Sequence, residues 1–252
     1  MKKTLLLLAS TLAVAALPQI AVAQTAPAAA PAAEPAGALS FNVSLTTDYR
    51  YRGISQSRLK PAVQGGVDYA FANGFYIGAW ASSIKWIKDA GGGANAEIDL
   101  YGGYKGEISK DLTYDVGVLT YQYPGHDLSV SPATTEIYGA LTFGPATLKY
   151  SHSVTNLFGF ADSKNSGYLD LSASFDVGGG FMLAPHVGYQ KVQRNSYADY
   201  TDVSLTVSKE VVPGLTVSLA GYANDTKGST YVASGGKYLG RKGVALAAKY
   251  VF

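Results

Sequence analysis

The sequence predicts an all-β protein, a transmembrane antiparallel up-and-down β-barrel of about 12 strands. Three observations carry that expectation. Apolar and polar residues alternate with a period of two along most of the chain from Leu39 onward. Turn-forming pairs alternate with longer polar links. Past the first residues, no apolar run approaches the ~20 residues that a spanning helix needs.

The chain opens with Lys2 and Lys3, an apolar run from Leu5 to Ala16, and Ala21-Val22-Ala23 before Gln24. Charge, apolar core and small residues in that order form a secretory signal over residues 1–23, and the run is too short for a membrane-anchoring helix. Residues 24–38 are almost all Ala and Pro, with Glu34 the single charge. That composition holds neither a core nor a ladder, so this stretch is expected to be a disordered periplasmic leader. The barrel is assigned to residues 39–252.

The first strand places Leu39, Phe41, Val43, Leu45, Thr47, Tyr49 and Tyr51 on one face. Ser40, Asn42, Ser44, Thr46, Asp48, Arg50 and Arg52 fall on the other. The same alternation recurs over 63–71, 75–86, 97–105, 112–121, 135–143, 146–154, 168–177, 181–190, 201–211, 215–223 and 243–252. Short turns are marked by Asn73-Gly74, Ser109-Lys110, Gly144-Pro145, Gly178 to Gly180 and Pro213-Gly214. Longer links span 53–60, 88–96, 124–134, 156–167, 191–200 and 224–242. In an outer-membrane barrel the short turns face the periplasm and the long loops the exterior. None of these loops has the length of an obvious plug.

Two strands need a further argument. Both parities of 75–86 carry apolar residues, and a two-residue Asn73-Gly74 turn opposes Phe71 to Tyr76. That register sends Tyr76, Trp80, Ile84 and Trp86 to the lipid as an aromatic girdle. Pro185 lies inside the strand 181–190, where it cannot donate to a ladder, so a bulge or a local ladder defect is expected there.

Composition narrows the function. The chain is 47% hydrophobic, with 29 Gly, 19 Tyr and no Cys. The missing cysteine excludes a lipoprotein anchor, a disulfide scaffold and thiolate metal sites. Loss of Lys2 and Lys3 with the signal leaves 18 basic and 18 acidic residues, so no basic face for nucleic acid is suggested.

The stretch Leu45-Thr46-Thr47-Asp48-Tyr49-Arg50-Tyr51-Arg52-Gly53-Ile54-Ser55-Gln56, with Lys60-Pro61-Ala62-Val63-Gln64-Gly65-Gly66-Val67-Asp68-Tyr69, resembles the TorF-type porin family of proteobacteria. Similar elements stand at Gly74-Phe75-Tyr76, at Glu97-Ile98-Asp99-Leu100-Tyr101-Gly102-Gly103-Tyr104, at Tyr114-Asp115-Val116-Gly117-Val118 and at Tyr123-Pro124-Gly125. The specific motifs lie in the first half; the later strands match in pattern alone. The resemblance implies an outer-membrane porin and brings no catalytic residues. The ending Tyr250-Val251-Phe252 is similar to the signal read by the barrel-assembly machinery, which assigns Tyr250 and Phe252 to that role. Outer-membrane lipids and lipopolysaccharide are the other expected partners, and the sequence leaves the oligomeric state open.

Strand parity sends Asp48, Arg50, Arg52, Gln64, Asp68, Glu97, Asp99, Lys105, Asp115, Glu136, Lys149, Asp170, His186 and Asp202 to the pore lining, with Tyr101 and Tyr138 beside them. Twelve strands at ~4.8 Å spacing and ~40° tilt enclose a backbone cylinder of roughly 24 Å, or roughly 12 Å between side chains if nothing fills it. Closure of the first strand on the last groups Arg50 and Arg52 with a basic wall at the mouth, Arg58, Lys60, Arg241 and Lys242. Glu97, Asp99 and Glu136 stand on a neighbouring wall. Opposed walls would orient dipolar solutes and set a mild ion selectivity. The alternative is that these charges pair with one another and fill the lumen.

The expected function is therefore an outer-membrane porin for passive diffusion of small hydrophilic solutes. The alternatives are a non-conducting structural or surface-interaction barrel and a soluble barrel with an apolar ligand, the latter opposed by the polar inner face. An enzyme is not expected, nor a cofactor. A lipase barrel needs Ser and His together on one face, whereas Ser151 and Ser153 point opposite to His152, and there is no G-x-S-x-G. Glu97 with Asp99 shares a strand face, as acid–base or metal chemistry requires, but wet lumen charges explain the pair better. His126 and His186 are too sparse for a metal site, and Gly91-Gly92-Gly93 lacks the Lys and Ser/Thr of a phosphate loop. His186, inward, is a candidate for pH-dependent conductance.

Overall fold

The computed structural model describes residues 37–252. The predicted signal and nearly all of the leader lie outside the described residues. Twelve antiparallel strands follow one another: β1 Ala38–Thr46, β2 Ala62–Ala70, β3 Phe75–Ser83, β4 Ala96–Ser109, β5 Leu112–Gln122 and β6 Thr134–Phe143. Then come β7 Ala146–Ser153, β8 Gly167–Ala173 with its continuation Phe175–Asp176, β9 Phe181–Lys191, β10 Tyr200–Val212, β11 Leu215–Asn224 and β12 Gly243–Val251. Each pairs with its neighbours in sequence, and β1 pairs with β12, so the sheet closes into a barrel with no free edge. At the seam Asn42 stands opposite Val251 and Thr46 opposite Ala247. Phe41 and Phe252 then exchange both backbone hydrogen bonds, at 2.9 and 3.0 Å.

Burial follows the pleat. Leu39, Phe41, Val43 and Leu45 of β1 are exposed outward, as are Ile98 and Leu100 of β4, Leu169 and Leu171 of β8, and Leu219 and Leu246 of β11 and β12. Ser40, Ser44, Gln64, Asp115, Ser204, Thr206 and Ser218 are buried inward. An exposed apolar belt around a polar interior is the inverse of a soluble domain and the requirement of a barrel in lipid. No helix among the described residues is long and apolar enough to cross a membrane, which says nothing of a β-barrel, since barrels cross with strands.

Three local expectations are corrected. First, β1 ends at Thr46, not Arg52: Thr47 donates to Leu246 O at 2.9 Å, and the chain then leaves the wall and folds into the lumen. Tyr49 and Tyr51, expected to face lipid, are 3% and 7% exposed. Second, the β2–β3 turn contains one residue more than the two-residue reading. Phe71 donates to Phe75 O at 2.8 Å and Ala70 faces Tyr76, so the loop is Ala72-Asn73-Gly74, with Gly74 at φ +90°. A one-residue shift moves every side chain to the other face. Tyr76 and Trp80 therefore point into the barrel, and β3 stops at Ser83, ahead of the helical turn Trp86–Asp89. Ile84 is buried at 1% and Trp86 packs against Tyr123, so neither belongs to a lipid-facing girdle. Third, none of the loops looked long enough to plug the barrel, yet the first one enters it.

At Pro185 the ladder is interrupted without a bulge. Ser172 pairs with His186 and Phe175 with Leu183, the intervening pairs are missing, and Ser174 donates instead to Pro145 O at 3.0 Å on the β7 side. On its other flank Pro185 stays in register opposite Leu205. Bulges occur near two short turns, at Glu107/Ser109 and Glu210/Val212.

Candidate pore lumen and its inward hairpin

Thr47 to Pro61 is the first long loop, and its core is a small hairpin, Arg50–Tyr51 paired with Ile54–Ser55. The two turn residues, Arg52 and Gly53, have φ of +46° and +75°, the left-handed pair that a two-residue hairpin turn requires. Gly53 also approaches the wall so closely that a Cβ there would lie 2.8 Å from the Cβ of Asp202. Arg52 has no such licence, and its left-handed backbone costs about 1–3 kcal/mol. Its side chain offsets that cost. The guanidinium donates two parallel bonds to Glu136 of β6, Nη1 to Oε1 at 3.0 Å and Nη2 to Oε2 at 2.8 Å, and Nη1 donates to Gln190 Oε1 of β9 at 2.8 Å. The rings of Tyr51 and Tyr168 lie 4.8 and 4.2 Å from its Cζ.

The remaining contacts seat the hairpin. Arg50 donates Nε to Asp48 Oδ2 at 2.8 Å and Nη1 to the carbonyls of Gly53 and Arg241 at 3.1 and 2.8 Å. Asp48 accepts Ser55 Oγ at 2.5 Å. Tyr49 donates to Glu97 Oε1 at 2.9 Å, and the hydroxyls of Tyr51 and Tyr121 are 2.7 Å apart. Around these polar bonds, Tyr49, Tyr51, Ile84, Ile87, Leu119, Tyr121 and Tyr123 form one buried cluster; Ile54 with Tyr200 and Leu239 forms a second. Burial and then the charges of Glu97 and Asp99 hold the Tyr49 hydroxyl well above the usual tyrosine range. Burial raises Tyr51 and Tyr123 as well. Burial opposes the charge of Arg52, but Glu136 and the tyrosines overcome it and raise its pKa.

The basic mouth wall is corrected by this geometry. Arg52 does not oppose Glu136 across a gap but binds it, and Arg50 turns to Asp48. Arg58 pairs with Asp89 of the helical turn, while Lys60, Arg241 and Lys242 are exposed.

Below the hairpin, toward the short turns, the lumen is lined by side chains from all around the barrel. Tyr76 donates to Asp115 Oδ1 at 2.6 Å and shares a short bond with Tyr138, and Tyr101 donates to Asp68. Lys149 Nζ lies 4.1 Å from the Tyr138 ring centre, and Lys105 Nζ 5.4 Å from that of Tyr76. His186 Nε2 meets Asp170 Oδ2 at 2.5 Å, and Tyr168 donates to Asp202 Oδ2 at 2.9 Å. Gln64 accepts Ser44 Oγ at 3.0 Å. Glu97 and Asp99 project inward from β4, and both oxygens of Asp99 lack a hydrogen-bond partner. Asp68, Lys105, Lys149 and Lys249 are half-buried, so water reaches this half. Among the described residues, the carboxylates buried or half-buried on the hairpin and the inner strand faces are eight (Asp48, Asp68, Glu97, Asp99, Asp115, Glu136, Asp170, Asp202), against five Lys and Arg cations (Arg50, Arg52, Lys105, Lys149, Lys249).

Inward glycines shape the wall. A Cβ on Gly78, Gly103 or Gly117 would lie 2.4–2.5 Å from the ring or hydroxyl of Tyr101, Tyr76 or Tyr138. Each ring lies flat over a neighbouring strand's backbone and does not project across the lumen.

Parity gives the inward side of most strands, Asp115 and Asp170 among them, but reverses β3, where Tyr76 and Trp80 point inward. It missed the tyrosines and tryptophans under the long loops, whose signal was the Arg52-Gly53 pair between two short β-prone dipeptides. His152 points outward near Tyr150 and Asn165, while Ser151 and Ser153 are buried inward, so no Ser–His pair forms there. His126 accepts Leu128 N–H at 3.0 Å within its own loop. Among the described residues no group of three or more His, Cys, Asp or Glu is placed to hold a metal ion. Tyr250 and Phe252 are exposed on the outer face, stacked on each other and with Phe252 on Phe41.

Solved structures share this architecture. A KdgM porin superposes with a TM-score of 0.56 at 8% identity, covering 84% of this chain and 99% of that one. A NanC porin superposes at 0.54 and 14% identity, covering 85% and 98%. A KdgM porin in complex with disordered oligogalacturonate also superposes at 0.54, with 8% identity and coverage of 85% and 98%. At such identities the likeness is one of fold, a porin-type barrel. No curated protein sequence matches the chain. Residues 29–252 match the family described as "Bacterial protein of unknown function (Gcw_chp)", and the chain belongs to that family.

Proposed function

We propose that this protein is an outer-membrane porin through which small hydrophilic solutes diffuse passively, its short turns in the periplasm and its long loops outside. One observation carries the reading: charged, half-buried side chains line the inside of a closed barrel whose outside is an exposed apolar belt. The porin-type fold and the TorF-type motifs of the first half support it. The hairpin is then the constriction, and solutes pass where it leaves or yields space. The test is single-channel recording on the refolded chain in a planar bilayer. Discrete current steps are expected; a folded, heat-modifiable barrel that stays silent overturns the reading.

A second reading, a non-conducting structural or surface-interaction barrel, is favoured by the seating of the hairpin. Arg52, Arg50 and Tyr51 tie the first loop to β5, β6, β9 and the last loop at once. Silence of the native chain together with current from a variant lacking the hairpin contacts would support it.

A further inference from the structure

A cavity of about 250 Å³ lies under the long loops, beside the hairpin. Its wall is largely aromatic, including Trp86, Tyr121, Tyr123, Phe158 and Tyr231, and it contains two carboxylates, Asp89 and Glu97. Arg58 answers the charge of Asp89. Glu97 is 2% exposed and accepts the hydroxyls of Tyr49 and Tyr123, neutral donors that satisfy lone pairs without supplying a countercharge. One position further along the inner face, Asp99 is fully buried with both oxygens unpartnered. Neither forms a salt bridge among the described residues, and the nearby guanidinium of Arg52 is already bound to Glu136. The indole N–H of Trp86 is buried without an acceptor.

We propose that this cavity binds a small organic cation, its ammonium group drawn to Glu97 and its apolar body against the surrounding rings. Aromatic faces attract cations, and an unanswered buried carboxylate makes the site strongly unfavourable to anions. A neutral apolar ligand would fill the volume but leave Glu97 without a countercharge. The volume sits just below the ~300–1,000 Å³ of drug-sized ligand sites, which limits the ligand to a single small ring or a branched ammonium. As a statement about the solute class of the pore the inference rests on the porin reading; as a statement about binding it does not.

The test uses the full chain refolded in detergent, with Trp80→Phe leaving Trp86 as the sole tryptophan reporter. Benzyltrimethylammonium, benzyl alcohol and phenylacetate present one ring with positive, neutral and negative ends. The expected result is saturable quenching by the cation, roughly tenfold or more weaker binding of the alcohol and none of the carboxylate. Glu97→Gln should weaken the cation by roughly tenfold and leave the alcohol unchanged. Equal binding of cation and alcohol overturns the proposal, and because that ranking is read without the Glu97 substitution, a misfolded Glu97→Gln variant does not protect it. Bilayer recording separates the two readings. A silent barrel that ranks the probes as expected removes the pore and keeps the site; a conducting barrel that fails to rank them does the reverse.

Discussion

Arg52 and Glu136, 84 residues apart in the chain, meet inside the barrel through two parallel hydrogen bonds with both side chains almost fully buried. The contact fixes a loop that follows the first strand to the wall made by the sixth. A charge pair so placed holds geometry more than it adds stability, since desolvation cancels most of the attraction.

Arg52→Gln should therefore release the hairpin and leave Glu136 buried and unpaired, at a cost of about 3–5 kcal/mol. Refolded into a bilayer, the variant should conduct more and flicker more than the parent. The double variant Arg52→Gln, Glu136→Gln should recover part of the stability while keeping the larger conductance. Denaturant titration beside single-channel recording checks both halves, and an unchanged current would mean that the hairpin does not narrow the path.

Gly53→Ala places a methyl group in a left-handed turn residue and against the Cβ of Asp202. A loss of about 1–3 kcal/mol is expected from the backbone alone. Protease sensitivity of the first loop should rise while heat-modifiable migration of the barrel persists. A loop as resistant as the parent's would contradict the seating described here.

Gly117→Ala should lift the Tyr138 ring off the wall, because the new Cβ would lie 2.5 Å from its hydroxyl. The ring swings into the lumen and conductance falls. Adding Tyr138→Leu should restore it, a reversal readable in the same recordings.

Alkaline pH should loosen the hairpin. Tyr49, Tyr51 and Tyr123 are held above the ordinary tyrosine value of about 10, so their contribution is complete below that value and is lost as pH rises through their folded values. Tyrosinate absorbance should show a late-titrating class that merges with the ordinary class in Tyr51→Phe barrels whose first loop is proteolytically open. A single class in the native barrel would rule this out.

Parity itself is testable at one step of β11. Leu219 is exposed outward and Ser218 is buried inward. Leu219→Lys should cost roughly 2–4 kcal/mol if it lies near the bilayer midplane, and Ser218→Lys much less. Equal losses in lipid-phase unfolding would place the belt elsewhere.

Much of the fold was legible because lipid and water enforce a period of two that no local packing overrides. Leu169, Asp170 and Leu171 could be assigned to faces from spacing alone, and Pro185 announced its ladder gap by lacking a donor. The failures occurred where the same alphabet serves another solvent. Tyr49 and Tyr51 continue the alternation of β1 perfectly, yet their faces are set by an aromatic cluster inside the barrel, which period cannot distinguish from lipid. At Asn73-Gly74 the turn chemistry was correct and its length was not, and one residue was enough to turn Tyr76 and Trp80 inward.

The hairpin also constrains the order of assembly. Its most distant partners stand 84, 138 and 191 residues downstream, at Glu136, Gln190 and Arg241. Contacts of such sequence separation form late. The segment just after the first strand can meet Glu97, Tyr121 and Glu136 once the fourth to sixth strands are present, but its full set of contacts is complete only with β9 and the last loop, just ahead of the final strand. Full seating of the hairpin is thus a built-in report that the barrel is all but finished.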